Sequence, residues 1–415
     1  MISKKAFDTV DHAALWSALR EQHVSEVYVR TLQILYANQT GKVCGKCQSK
    51  PFQIQRGTKQ GDPMSPNLFN AVLEYALKDV QQDWRRRKLG LQLGSEEADR
   101  LCNLRFADDV VLLATSKRDL VAMLEDLAKA TDRVGLQLHM GKTKIMANSW
   151  AHNASSSSYV HAMGKKVEVL PLGASQAYLG RLLCLDTLHE TEISNRLERA
   201  WKKFFAWKGE LCNRAYSLQH RLRLFDSVIT PTVLYASSTW TMTAEREKQV
   251  KSTQRRMLRW MVGVRRTVLP AGNVCDSASS DDSSCDEPDD QENQEDDKME
   301  TETWVAWIIR ATGIAESQAG RAGVTDWVQG QRTRQWNFAG HTARRSDNRW
   351  STRLLSWLPE SCTRGVGHPK ARWSDCLDRY VDFTYGSSGD WIEIAQDRDT
   401  WNYLAEDFVV ADAWR

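Results

Sequence analysis

Apolar positions recur at helical spacing through the first 145 residues, broken by short stretches that alternate. Asp11 caps a predicted helix with Leu15 and Leu19 on one face, and Ser25 caps another with Tyr28, Leu32 and Leu35. Lys42 to Ile54 reads as a hairpin. Ser65 as N-cap and Pro66 at the first helical position launch a helix whose apolar face is Leu68, Phe69, Val72, Leu73, Ala76 and Leu77. Around Asp108-Asp109, two apolar runs predict strands joined by a tight Asp-Asp turn. Ser116 caps a further helix with Leu120, Met123, Leu124 and Leu127 in register, ended near Gly135. Val167–Leu172 and Tyr178-Leu179-Gly180 read as another strand pair, and from about residue 190 to 266 the period is helical again.

Charge changes this picture most. The net charge of the 415 residues is only +3, yet from Asp276 to Glu300 twelve acids face the single base Lys298, which leaves +14 on the remainder. A chain that is basic outside one acidic stretch suits a polyanionic partner. Residues 270–303 hold almost nothing to bury and predict a disordered linker. The nine cysteines form no repeated framework, no secretory pattern opens the chain, and no apolar run approaches bilayer length, so the sequence reads as a soluble intracellular protein.

Candidate chemistry sits in four places. Adjacent carboxylates at a turn are costly unless a cation lies beside them, so Asp108-Asp109 is either a solvated hairpin or a divalent-metal site. Arg56 to Pro66 has two glycines, two prolines and two bases, with Gln60 placed to read a base or sugar edge. From Arg196 to Arg266 sixteen lysines and arginines against five acids are interleaved with Trp201, Phe204, Phe205, Trp207, Trp240 and Trp260. That composition fits a nucleic-acid duplex surface or a helical bundle with tryptophan in its core. The last segment, 304–415, carries ten of the seventeen tryptophans and several basic runs. Cys44 and Cys47, and separately His341, Cys362, His368 and Cys376, are metal-capable residues whose spacing matches no compact zinc template.

Taken in order, Ala6-Phe7-Asp8, the run Arg56 to Pro66, Phe106-Ala107-Asp108-Asp109, Gly135 to Lys144 and Tyr178-Leu179-Gly180 resemble the reverse transcriptase domain of non-LTR (LINE-type) retrotransposons. The resemblance covers residues 3 to about 266 and implies an α+β fold: a right-hand polymerase palm over 1–185, then a basic helical thumb over 186–269. An acidic linker over 270–303 and a Trp/Arg-rich helical module over 304–415 would follow. It implies RNA-directed DNA synthesis by two-metal nucleotidyl transfer onto a primer 3′-hydroxyl. Asp108 and Asp109 would hold two Mg²⁺ ions, with Mn²⁺ as a substitute, and Lys142 would act as general acid. Phe7 would exclude a 2′-hydroxyl, Gln60 and Gly61 would contact the incoming nucleotide, and Tyr178, Leu179 and Gly180 would form the primer grip. The implied partners are an RNA template, a DNA primer or target and deoxynucleoside triphosphates, with no membrane, in the nucleus or cytoplasm.

Three departures accompany the resemblance. The family's first metal-binding aspartate lies five residues before the phenylalanine of Ala-Phe-Asp, where this chain has Ile2; Asp8 is a different position, a structural partner. The chain begins inside that motif, so a fingers segment is expected to be missing and the palm to expose apolar surface. His139 stands where asparagine is common. An isoleucine cannot ligate a cation, and the expectation is a reverse transcriptase by descent that is inactive as this chain. The alternative is a non-catalytic nucleic-acid-binding remnant.

Overall fold

The computed structural model describes residues 6–45, 47–59, 61–94, 96, 99–149, 158–269, 300–347, 349–355, 357, 371–386 and 389–410. The predicted linker falls almost wholly on 270–299, outside the described residues. Helices and small sheets alternate, an α+β architecture, and chain contacts divide it into two units. The first holds residues 6–175 with 184–186. The second holds 176–183 and the described residues from 187 onward.

In the first unit the organising element is a long helix. In chain order come α1 (Ala6–Thr9), α2 (His12–Glu21), α3 (Glu26–Ala37), the strand pair β1 (Thr40–Gly41) and β2 (Phe52–Gln53), and α4 (Ser65–Arg86). A pair β3 (Leu91–Gln92) and β4 (Arg100–Leu101), the hairpin β5 (Asn103–Phe106) and β6 (Asp109–Leu112), and α5 (Lys117–Asp132) follow. The unit closes with β7 (Lys144–Ile145), β8 (Tyr159–Ala162) and β9 (Lys165–Val169), ordered β7-β9-β8, β7 parallel and β8 antiparallel to β9. Leu68, Phe69, Val72, Leu73 and Leu77 of α4 are buried, as their spacing predicts, between α2 and α5. Asp11 caps α2 by accepting from Ala14 N at 2.9 Å, and Ser116 caps α5 by accepting from Asp119 N at 3.1 Å.

Three sequence expectations shift here. Ser65 does not cap α4 but opens it, and its hydroxyl donates to Lys59 O at 2.6 Å. On α3 the buried residues are Val29 and Tyr36, with Leu32 packed against them, while Tyr28 and Leu35 are exposed together with Val27 and Ile34. The face turned inward is offset by one position, because Tyr36 is the side chain that reaches α2. Val167–Leu172 does not pair with Tyr178–Gly180; Lys165–Val169 joins Tyr159–Ala162 instead, and Tyr178 opens a hairpin of its own.

That hairpin, β10 (Gln176–Tyr178) with β11 (Arg181–Leu183), begins the second unit. Next are α6 (Leu188–Ala206), α7 (Lys208–Leu211), α8 (Leu218–Val228), α9 (Thr230–Val233), α10 (Ala244–Val262), a short pair β12 (Val268–Leu269) and β13 (Glu300–Thr301), then α11 (Trp304–Ala322) and α12 (Trp327–Ala343). Four shorter or later helices complete it: α13 (Trp350–Arg353), α14 (Asp375–Tyr385), α15 (Trp391–Ile394) and α16 (Arg398–Val410). The sequence separated the stretch before the acidic segment from the stretch after it, but they share one core. Ile193, Phe204, Phe225, Trp240, Met257 and Trp327 form it, and Ala315, Ala319 and Ala322 give α11 a small-residue face that lets it lie against α10.

Most tail tryptophans with described side chains are structural. Trp336 and Trp401 stack at 3.7 Å and 8°, and each indole N–H donates to the other's carbonyl, at 2.9 and 3.2 Å. The basic runs are consumed similarly: Arg332 pairs with Glu247 at 2.9 Å, Arg334 donates to Leu234 O at 2.8 Å and Arg344 to Ala395 O at 2.7 Å. A Cβ at Gly340 would stand 2.3 Å from Trp401 Nε1, with no room for the ring to retreat. Gly340→Ala should therefore destabilise this unit by about 1–3 kcal/mol, read as a lower urea midpoint in tryptophan fluorescence.

Burial beside Arg246 and Arg181 lowers the His189 pKa from 6.5 to about 4, and its Nδ1 accepts from Thr241 N at 3.3 Å. The unfolded chain thus binds a proton that the folded chain refuses, so stability should fall as pH drops from 6.5 towards 4. His189→Gln is expected to flatten that part of a melting-temperature profile.

Candidate active site

The carboxylate pair sits where a two-residue loop meets the second strand. Phe106 pairs with Asp109 and Arg105 with Val110, so the loop is Ala107-Asp108, with Ala107 at φ 50°, and Asp109 already belongs to β6. The turn is one residue earlier than the expected Asp-Asp turn, and burial explains the register. Val110 and Leu112 face the core, and Arg105 beside Val110 pairs with Glu74 of α4 at 2.7 Å. Asp109 then falls on the open face with Val111, Leu104 and Phe106, the last two exposed. Among the described residues neither Asp108 nor Asp109 has an ion-pair partner.

Phe7 stacks on Phe69 at 4.6 Å, which ties α1 to α4. Its carbonyl accepts from Thr58 N at 2.6 Å, and Val10 O accepts from Gly57 N at 2.8 Å, so the loop before α4 is laced to the Phe7 segment. Glycine is required twice at this seam. A Cβ on Gly57 (φ 91°) would meet Asp8 Cα at 2.7 Å, and one on Gly135 (φ 80°) would meet Thr9 O at 2.6 Å. Gln60 lies outside the described residues; Gly61 (φ 89°) has nothing within 4 Å of a Cβ position, an open approach for a ligand. Phe7, Val110 and Leu112 belong to one core, so the Phe7 segment, with Gly57 and Thr58 bonded to it, and the carboxylate hairpin share one support.

Lys142 ends a 3₁₀ turn (Met140–Lys142) anchored by buried Met140. Its side chain is exposed and without an ion-pair partner among the described residues, whereas Lys144 is committed to Glu168. Of the lysine pair, only Lys142 is available to a ligand. Tyr178, Leu179 and Gly180 lie in the second unit. Leu179 (φ 47°) and Gly180 (φ 76°) form a two-residue turn whose carbonyls accept from Tyr235 Oη, at 2.9 Å to Leu179 O, and from the Arg196 guanidinium at Gly180 O.

Two residues that sequence reasoning missed hold the loop in place. Buried Tyr36 packs edge-on against His12 at 5.2 Å and Trp16 at 5.8 Å; its phenol bonds with the Lys59 backbone and Ser65, and burial raises its pKa. His12 Nε2 bonds to Gly57 O at 2.8 Å. The only sequence signal was the i, i+4 spacing of His12 and Trp16 on α2.

Among the described residues no group of three or more His, Cys, Asp or Glu side chains could hold a metal ion, so Asp8 does not join Asp108 and Asp109 as a third ligand. The pair offers two hard carboxylates, and Ile2 lies outside the described residues. Zinc in the tail does not fit Cys376, whose thiol is pushed up to about 12 by burial and bonds with Gln335 Nε2 at 3.1 Å. Cys44 and Cys47 are exposed free thiols, and Cys362 and His368 lie outside the described residues.

Residues 3–175 match the family described as reverse transcriptase (RNA-dependent DNA polymerase). The chain is 31% identical over 145 residues to the Pol polyprotein of the R2 retrotransposable element of Nasonia vitripennis, and 33% identical over 140 residues to that of R2DM of Drosophila melanogaster. The chain carries a reverse transcriptase domain of the non-LTR retrotransposon type. These alignments cover 35% and 33% of this chain and 13% and 12% of the two polyproteins, so the chain spans about an eighth of either. A transposon-derived protein of Caenorhabditis elegans is 28% identical over 305 residues, 72% of this chain and 94% of its own length. That likeness runs well past the reverse transcriptase domain. Reverse transcriptases use divalent metals, a nucleic-acid template and nucleotides, and no helix among the described residues is long and apolar enough to cross a membrane.

Proposed function

We propose that the first unit is the palm of an RNA-templated DNA polymerase and that the second, from the Tyr178 hairpin onward, supplies its thumb. The observation that carries this reading is the pair of carboxylates without ion partners among the described residues at the β5–β6 turn, on the core that also holds Phe7, to which Thr58 is bonded. Bound divalent cations, Mg²⁺ in this reading, would neutralise charge on the reacting phosphates. Asp108 and Asp109 would hold them. Phe7, set by Phe69 and Thr58, blocks a ribose 2′-hydroxyl by shape, and Gln60 and Gly61 meet the incoming nucleotide. As the primer 3′-oxygen, its proton lost to water, bonds to the α-phosphorus and the bond from that phosphorus to pyrophosphate breaks, Lys142 gives a proton to the departing pyrophosphate. Tyr178, Leu179 and Gly180 grip the primer. The template is RNA, and the primer is a DNA 3′-end.

Ile2 makes this chain a poor catalyst and gives weight to the second reading, a protein that holds nucleic acid without extending it. Primer extension by the unmodified chain, by Ile2→Asp and by Ile2→Asp/Asp108→Ala/Asp109→Ala separates them. Extension that appears with the first substitution and vanishes with the others supports the polymerase reading. Salt-dependent binding with no extension by any of the three supports the second.

A further inference from the structure

Two groups stand out among the aromatic residues of the basic stretch 196–266. Phe204 and Trp240 are wholly buried and belong to the core. Trp201, Phe205 and Trp260 instead form a surface cluster where α6 meets α10. Trp201 and Phe205 stack at 5.6 Å and 27°, and Trp260 meets them edge-on at 6.2 and 5.6 Å. Phe205 is 51% and Trp260 43% exposed, a large apolar area left in water.

The cluster is bordered by cations. The Arg256 guanidinium lies 5.5 Å from the Trp201 ring centre and Lys208 Nζ 5.2 Å from that of Trp260. Neither has a carboxylate partner among the described residues, although neighbouring Arg255 pairs with Glu316 at 2.6 Å and Arg259 donates to Thr312 at 2.8 Å. Of the acids on α6 and α7, Glu198 is held by Lys202 at 2.6 Å. Glu210 on α7 is exposed. The surface thus offers the exposed rings of Phe205 and Trp260 and, lying over the cluster, two cations without carboxylate partners among the described residues. An uncharged apolar partner would leave those charges desolvated and unpaired, and a duplex keeps its base faces against one another. An unpaired strand supplies both complements, bases for the rings and phosphates for the cations.

We propose that Phe205 and Trp260, backed by Trp201, form a stacking platform for unpaired bases of a single-stranded nucleic acid, with Arg256 and Lys208 on its phosphates. The platform belongs wholly to the second unit and stands whether or not the carboxylate site is active.

The test uses the full chain and a fluorescein-labelled single-stranded oligonucleotide of mixed sequence, with the same sequence as a duplex for comparison. Phe205→Ala/Trp260→Ala should weaken single-strand binding at least about tenfold while changing duplex binding by less than about twofold. Arg256→Gln/Lys208→Gln should instead lower the slope of log Kd against log salt by about one to two. Saturating the unmodified chain with the single strand should quench tryptophan emission, and Trp260→Ala should lose much of that quenching. Should the double alanine variant fail to fold, Phe205→Leu/Trp260→Leu keeps apolar bulk while removing the π faces and should show the same selective loss. Equal losses on single strand and duplex would make this a plain phosphate surface and overturn the proposal. So would unchanged single-strand affinity in a folded variant, or absence of quenching in the unmodified chain.

Discussion

Ile2→Asp should raise primer extension on a poly(A) template, with dTTP and Mg²⁺, at least about 100-fold over the unmodified chain. The carboxylate pair at the β5–β6 turn is set by features that do not depend on position 2: the Phe106–Asp109 pairing, the inward Val110 and Leu112, and the Arg105–Glu74 ion pair. In the proposed reading, an acid at position 2 would supply charge. Two acids among the described residues stand without a third, and an isoleucine beside a cation offers no lone pair and excludes water that could. Ile2→Asn, similar in size to aspartate but uncharged, should recover much less, and Asp108→Ala/Asp109→Ala in the Ile2→Asp background should return extension to baseline. An unmodified chain that already extends at the rate of Ile2→Asp would show that position 2 is not part of the metal set.

How much of this was legible in the sequence depends on the range of the interaction. The α4 face was readable because its period and its Pro66 are local, and the carboxylate hairpin because apolar runs flank it. Its register was not, since the inward direction of Val110 and Leu112 is decided by the core they meet. The α3 face was misread for the same reason: Tyr28 and Tyr36 are equivalent by type, and only contact with His12 and Trp16 selects Tyr36. The tail could be read only as a Trp/Arg-rich helical module, because composition does not reveal pairing. Trp336 and Trp401 are 65 residues apart, and each satisfies the other's indole. The same limit applied to α6 and α10, where Phe204 and Phe205 are neighbours in sequence and only one is buried.

Glu192→Ala should destabilise the second unit by about 3–5 kcal/mol, because it leaves a buried guanidinium without its counter-charge. Glu192 is fully buried, and one of its oxygens accepts from Arg196 Nε at 2.6 Å while the other accepts from Leu182 N at 2.7 Å and Asn195 Nδ2 at 3.2 Å. Arg196, also buried, lies over the Tyr235 ring at 4.5 Å and donates to Gly180 O. One ion pair thus fastens Gly180 of the turn and Leu182 of the strand after it to α6, and the loss should be local before it is global. Hydrogen exchange at the Leu182 amide should speed up in Glu192→Ala well below the denaturant concentration that unfolds the helices. Removing both charges together, as in Glu192→Leu/Arg196→Met, should cost less than Glu192→Ala alone, since no unpaired charge then remains. If the single and double variants unfold at the same urea midpoint, the pair is not what holds the turn, and the Tyr235 bond to Leu179 O would have to carry it.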